Sequence, residues 1–150
     1  MKDSVFIKSF TVASYEYQEE IALRDRVLRK PLNLEINETD LAEDGDSHHL
    51  GGFIDNVLIA CLLLTPADEE TIKIRQVVVD EEFQEQGIGK KLMEVAEDYA
   101  RDHNYLTVRL MARATAVEFY EKIGYVVMSA EFIDERTQLP HRYMAKDLGK

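Results

Sequence analysis

Cysteine is scarce in this 150-residue chain: Cys61 is the only one, so no internal disulfide can form and a reducing compartment is expected. It lies inside an apolar run, where a buried thiol is the expectation rather than a nucleophile. Long hydrophobic runs are also missing. The longest, residues 57–64, is too short to cross a bilayer, and the opening Met1-Lys2-Asp3-Ser4 lacks the basic-then-apolar pattern of a secretory signal. A soluble cytoplasmic protein is therefore expected. Positive charge is short as well, with 18 Lys and Arg against 29 Asp and Glu and a net charge of −11. That balance argues against nucleic acid and against an anionic membrane surface as partners, because both rely on clustered cations. It fits plain solubility, and it also fits steering of a cationic substrate. The four histidines show no metal-ligand spacing, so no metal is expected.

What is present is enough for one core. A content of 45% apolar residues over this length supports a single domain spanning residues 1–150. Residues 5–12 alternate in the manner of a strand, and Ser14 can cap a helix reaching about residue 28 and ended by Pro31. Residues 35–46 are polar and acidic, which suggests a surface loop or a short helix. Runs at 49–54 and 57–65 meet at Asp55-Asn56, a good hairpin turn, and a third run covers 71–79. Ile88, Leu92, Val95, Ala96 and Tyr99 then recur at helical spacing, with Glu94, Glu97, Asp98 and Arg101 elsewhere on the helix.

Residues 105–111 read as a strand parallel to 71–79, since a strand, helix, strand unit of this size implies a right-handed crossover. Ala116, Phe119, Tyr120 and Ile123 mark a last helix, with Gly124 where a left-handed helix end is wanted. Residues 125–133 and 141–148 can close the sheet as a pair of strands.

The most informative segment is Gln84-Glu85-Gln86-Gly87-Ile88-Gly89-Lys90-Lys91, between a strand and a helix. Two glycines bring backbone close to a ligand, and the unpaired N–H groups of a helix start attract an anion. A Walker loop would need a glycine at position 84 and a hydroxyl after Lys90, where Gln84 and Lys91 stand. A dinucleotide fingerprint would need a third glycine where Leu92 stands. Nucleoside triphosphates, nicotinamide and flavin cofactors are thereby disfavoured.

The remaining pattern, Gln-x-x-Gly-x-Gly after Val77-Val78-Val79-Asp80, resembles the signature of the GNAT superfamily of N-acetyltransferases. Glu118-Phe119-Tyr120-Glu121-Lys122-Ile123-Gly124-Tyr125 resembles that family's second block, so the likeness covers residues 71–127. It implies an α/β (α+β) fold with a mixed, mostly antiparallel sheet of six to seven strands and about four helices. It also implies acetyl-CoA as co-substrate and an amine of a small molecule or peptide as acceptor. By the resemblance, the pyrophosphate rests on the amides of Glu85, Gln86, Gly87, Ile88, Gly89 and Lys90 beside Gln84, and the pantetheine arm pairs with Val77, Val78 and Val79. A dimer through the last strands is a further implication.

Tyr120 matches the tyrosine that protonates the departing thiolate in many relatives; an aromatic core residue is the plain alternative. The glutamate that many relatives place on the fifth strand has no counterpart in Thr107-Val108-Arg109-Leu110. An asparagine common in the family is replaced by Arg113, which could reach a CoA phosphate. His141 is then the best remaining base, since an imidazole titrates near neutrality, with a structural histidine as the alternative. His48 and His49 could face substrate, and His103 suits a helix end. Arg24, Arg26, Arg29 and Lys30 read as a solvated helix end, or as partners of the acidic loop or of a ligand anion. The missing carboxylate keeps two other readings open: a non-catalytic acyl-CoA-binding or sensing domain, and a partner-binding scaffold.

Overall fold

The computed structural model describes residues 4–149. Strand β1 (Phe6–Phe10) leads into helix α1 (Tyr15–Arg24), which continues through a π-helical turn, Asp25–Arg29, and a 3-10 turn, Lys30–Leu32, containing Pro31. A short α2 (Glu38–Leu41) and a 3-10 turn, Asp44–Asp46, form the acidic segment. Then come β2 (His48–Ile54), β3 (Val57–Pro66), β4 (Thr71–Val79), α3 (Ile88–Asp102), β5 (Thr107–Arg113) and α4 (Val117–Lys122). The chain closes with β6 (Val126–Val127), β7 (Phe132–Ile133) and β8 (Pro140–Asp147).

All eight strands share one sheet in the order β1-β2-β3-β4-β5-β8-β6, and β7 also pairs with β8. Among the described residues only β4 and β5 are parallel, so the sheet is mixed and mostly antiparallel, as expected. The Asp55-Asn56 turn joins β2 and β3 with φ of 49° and 65°, the left-handed pair that matches the twist of a tight hairpin. The expected strand over residues 125–133 is instead two dipeptide strands. Between them the regular ladder to β8 is interrupted: Met128 N–H still donates to Tyr143 O at 2.8 Å, but Tyr143 N–H donates to the side-chain Oγ of Ser129 at 3.0 Å.

Helices cover both faces of the sheet centre, which explains why Leu58 to Thr65 of β3 are buried without alternation. On one face Leu23 packs with Phe10, Phe53, Leu58, Cys61 and Val78. On the other, Ile88, Leu92, Met93, Ala96 and Ala100 of α3 meet Leu62, Leu64, Ile72, Ile74 and Met144. Each fully buried Leu, Ile or Met there contributes roughly 1.5–3 kcal/mol. Cys61 is fully buried as expected, and burial pushes its thiol pKa well up.

Glu97 departs from the expected polar face of α3. It is buried, accepting from Lys146 Nζ at 2.8 Å and Tyr125 Oη at 3.0 Å. Gly124 ends α4 at φ 101°, in the conformation expected of it.

Candidate functional site

The site begins where two strands part. β4 and β5 pair only from Thr71 with Thr107 to Ile74 with Leu110. Beyond that point β5 follows β8 to Arg113 opposite His141, while β4 follows β3 to Val79 opposite Ala60. The cause lies in β4. Between Arg75 and Val78 it carries one residue more than β3 does between Leu63 and Cys61, and Gln76 there takes a left-handed φ of 54°. Such a bulge bends a strand and breaks its ladder on the outer side. Asp80 N–H donates to Ile59 O on β3 at 2.7 Å, so the alternation of an extended strand turns Val79 N–H toward the gap.

At the end of β4 the chain enters the glycine turn. Gln84 Nε2 donates to Val79 O at 3.0 Å, which ties the turn to the strand rather than to a ligand. Gln86 Nε2 reaches Glu82 O at 3.5 Å, and Glu85 is exposed at φ 64°. Gly87 stands at φ 80° just before α3, a conformation that a Cβ would strain. No side chain caps the helix, and its first backbone bond is Lys91 N–H to Gly87 O at 3.1 Å. The amides of Gly87, Ile88, Gly89 and Lys90 therefore have no protein acceptor among the described residues. A Cβ at Gly89 would stand 3.5 Å from Phe119 Cζ and 3.8 Å from Val79 Cγ2, so turn, strand end and α4 converge. The free amides and the unpaired strand edge are the groups an acyl-CoA needs: donors for a diphosphate and a ladder for an amide-bearing arm.

Between the diverging strands lies a cleft of about 610 Å³. Val77, Tyr120, Arg113 and His141 line it; Val78 instead packs against α1, and Val79 and residues 84–90 lie outside the cleft lining. Lys90 borders a separate depression beside Lys122 and Lys146. Tyr120 is 8% exposed and held edge-on by Phe119 and Tyr125, with ring centroids 5.0 and 5.9 Å away. Its hydroxyl has no protein partner among the described residues, and burial pushes its pKa up to about 12. His141 is 4% exposed and its Nδ1–H donates to Leu139 O at 2.9 Å. A carbonyl can only accept, so that contact fixes the tautomer and leaves the Nε2 lone pair, without a protein donor among the described residues, as a base.

Several expectations do not survive the packing. Arg24 and Arg29 are not solvated; both are buried and meet the acidic segment. Arg24 donates to Glu20 Oε1 at 3.3 Å, Asp44 Oδ2 at 2.8 Å and Asp40 O at 2.9 Å. Arg29 holds Asp40 at 2.8 Å from one side and Arg136 holds it at 2.9 Å from the other. Burial opposes ionisation of Asp40, but the two guanidinium groups prevail and keep its pKa well below the usual carboxylate range. The pairs strap α2 and the loop after β7 over the cleft.

His49 does not face substrate. It is fully buried, with Nδ1 3.0 Å from Glu20 Oε1 and Nε2 2.8 Å from Asp44 O. His48 stacks on Tyr99 at 3.9 Å, outside the cleft, and His103 Nδ1 bonds Tyr99 O at the end of α3, as expected of it.

The net acidity does not extend into the cleft, where Lys73, Arg75, Arg109 and Arg113 face inward. Arg109, Met111, Asp134, Arg136 and Tyr143 are cleft residues that sequence reasoning overlooked. The alternation of β5 does signal the first two, since Arg109 and Met111 are exposed between buried Val108, Leu110 and Ala112.

The acetyltransferase (GNAT) family model matches residues 10–125. The protein YyaT of Bacillus subtilis is 25% identical over 80 residues, 53% of each chain, so this chain spans about half of that relative's length. An acyl-CoA N-acyltransferase structure from Pseudomonas aeruginosa superposes with a TM-score of 0.82 at 28% identity, covering 95% of this chain and 99% of that one. A GNAT family acetyltransferase of Elizabethkingia anophelis, solved with acetyl-CoA bound, gives 0.76 at 19% identity, covering 97% and 99%. With the family model spanning both glycine turn and Phe-Tyr block, the chain belongs to the acetyltransferase (GNAT) family.

Proposed function

We propose that this protein transfers the acetyl group of acetyl-CoA directly to a primary amine of a small molecule or peptide, without a covalent enzyme intermediate. The observation that carries the reading is the join of two features: a splayed strand edge ending at Val79, and a helix start whose amides lack acceptors. The acetyl-CoA in the Elizabethkingia structure supports the choice of donor.

In this reading the amides of residues 85–90 hold the pyrophosphate and the β4 edge holds the pantetheine arm. Val79 N–H polarises the thioester carbonyl, a kind of donor typically worth about 10²- to 10³-fold in rate. His141 Nε2 takes the proton of the amine, whose nitrogen attacks the carbonyl carbon. The C–N bond forms, the C–S bond breaks, and Tyr120 Oη gives its proton to the departing thiolate. Burial, which pushes the Tyr120 pKa up to about 12, keeps the phenol protonated at any working pH, so the proton is in place, while the higher value makes it a weaker acid than an ordinary phenol.

A second reading, acyl-CoA binding without transfer, draws on one observation: β5 presents Arg109, Met111 and Arg113 to the cleft and no carboxylate. A calorimetric titration with CoA beside a thiol-release screen over amines separates the two. Binding with release identifies a transferase, binding without release across a broad panel favours the second reading, and no binding removes both.

A further inference from the structure

The cleft carries a charge opposite in sign to that of the whole protein. Arg29, Lys73, Arg75, Arg109, Arg113 and Arg136 line it, against the carboxylates of Asp40 and Asp134. Four of these cations are satisfied within the fold. Arg29 and Arg136 share Asp40, Lys73 pairs with Glu43 at 3.0 Å, and Arg75 lies 3.7 Å from both Glu43 and Asp44. Arg109 and Arg113 form no ion pair among the described residues.

Of the two, Arg109 is exposed to water, which can serve it, whereas Arg113 is half-buried. Among the described residues its guanidinium makes one hydrogen bond, a long contact from Nη2 to Leu28 O, 3.4 Å. Asp134 accepts from Thr137 N–H at 2.9 Å and Thr137 Oγ1 at 2.8 Å, both through Oδ2, and makes no ion pair with Arg113. Burial first, and the Arg29 guanidinium second, lower the pKa of Arg113 against the opposing pull of Asp134. The fold therefore leaves a half-buried guanidinium with no ion-pair partner among the described residues.

Its position gives that deficit a use. Arg113 is the register partner of His141 across β5 and β8, and both line the cleft. Side chains directly opposite in an antiparallel pair are neighbours on one face. A planar guanidinium matches a two-oxygen anion bidentately.

We propose that the acceptor is an amine bearing an oxyanion, a carboxylate or a phosphate, gripped by Arg113 while its amino group meets His141. The proposal rests on the transferase reading above. The anion takes no part in the chemistry; the amine nitrogen gains the acetyl group and the anion fixes its orientation. The same guanidinium could in principle serve a CoA phosphate, but the cleft lining that contains Arg113 includes none of residues 84–90, where the free amides lie.

The test uses the intact protein with Arg113→Ala and Arg113→Lys variants, and matched acceptors: β-alanine and 4-aminobutyrate against their carboxamides, and O-phosphoethanolamine against ethanolamine. CoA affinity is measured first by calorimetry. Thiol release with acetyl-CoA then gives kcat and KM for each acceptor, and calorimetry on the CoA complex gives the affinity of each for wild type and variants.

The expected result is a preference of about 10- to 100-fold for the anionic member of a pair, in kcat/KM or in affinity for the CoA complex. It disappears in Arg113→Ala chiefly through KM, with CoA affinity retained, and returns in part in Arg113→Lys. Whichever pair shows it distinguishes carboxylate from phosphate. Equal use and equal binding of charged and uncharged partners overturns the proposal while leaving the transferase reading intact. A preference that survives Arg113→Ala, or a tenfold loss of CoA affinity in that variant, also overturns it and moves Arg113 to another role. A wild type that fails to bind CoA removes the transferase reading itself.

Discussion

Replacing Tyr120 by Phe removes one oxygen from a site where the ring and the hydroxyl have separable tasks. The ring packs edge-on between Phe119 and Tyr125, contacts that Phe keeps. The hydroxyl bonds to no described protein group, so its loss leaves no buried partner unsatisfied, and stability should change by no more than about 0.5 kcal/mol. CoA affinity should likewise hold. Turnover should not, because loss of a general acid typically costs about 10²- to 10⁴-fold.

The pH dependence carries a second, independent signature. With its pKa raised to about 12, Tyr120 stays protonated throughout the stable range, so wild-type kcat should show no alkaline limb near the ordinary phenol value of about 10. Any stability owed to this shift is complete below about pH 10 and fades as pH rises toward 12. The assay is thiol release from saturating acetyl-CoA, with calorimetry for CoA and urea melts as controls. A variant that keeps wild-type kcat, with an acceptor shown to be turned over, removes Tyr120 from the chemistry and returns it to the core.

His141→Gln should lower kcat by about 10²- to 10⁴-fold with CoA affinity preserved, read in the same assay; an unchanged kcat places the base elsewhere. Arg24→Met should cost about 3–5 kcal/mol, read from the urea midpoint, because it strands the buried carboxylates of Glu20 and Asp44. A loss under about 1 kcal/mol contradicts that account. Burial works against a charge on His49, but the Glu20 carboxylate and the Asp44 carbonyl outweigh it and raise the pKa. A raised value means stability complete below about 6.5 and lost as pH rises through the folded-state value, so the urea midpoint should fall from pH 6 to 9 in wild type and stay flatter in His49→Gln.

The elements readable from the sequence are those whose cause is local. The Asp55-Asn56 hairpin, the Gly87 turn and the Gly124 helix end each depend on backbone preferences of one or two residues. The unbroken apolar run of β3 announces a strand covered on both faces. What escaped depends on distant partners. Glu20 and Arg24 sit four apart on α1, a spacing that normally marks an exposed pair; only when Asp40 and Asp44 fold across them do they become interior. Arg136 and Asp40 meet across 96 residues, and no local pattern foretells that.

The same distinction explains why net charge misleads about the cleft. A net charge is a sum over the whole surface, whereas a cleft's charge is decided by which side chains the strand alternation turns inward. On β5 that alternation leaves Arg109, Met111 and Arg113 open to the cleft and buries Val108, Leu110 and Ala112, of which Leu110 and Ala112 still border the cleft. Exposed carboxylates farther than about 8 Å are largely screened at physiological salt, whereas a half-buried guanidinium in the wall is screened much less. A net negative charge over the whole chain can thus coexist with a local group of cations in the cleft. The segregation needs only two neighbouring strands that diverge: the bulge at Gln76 opens the gap, and the period of two fills one of its walls with arginine.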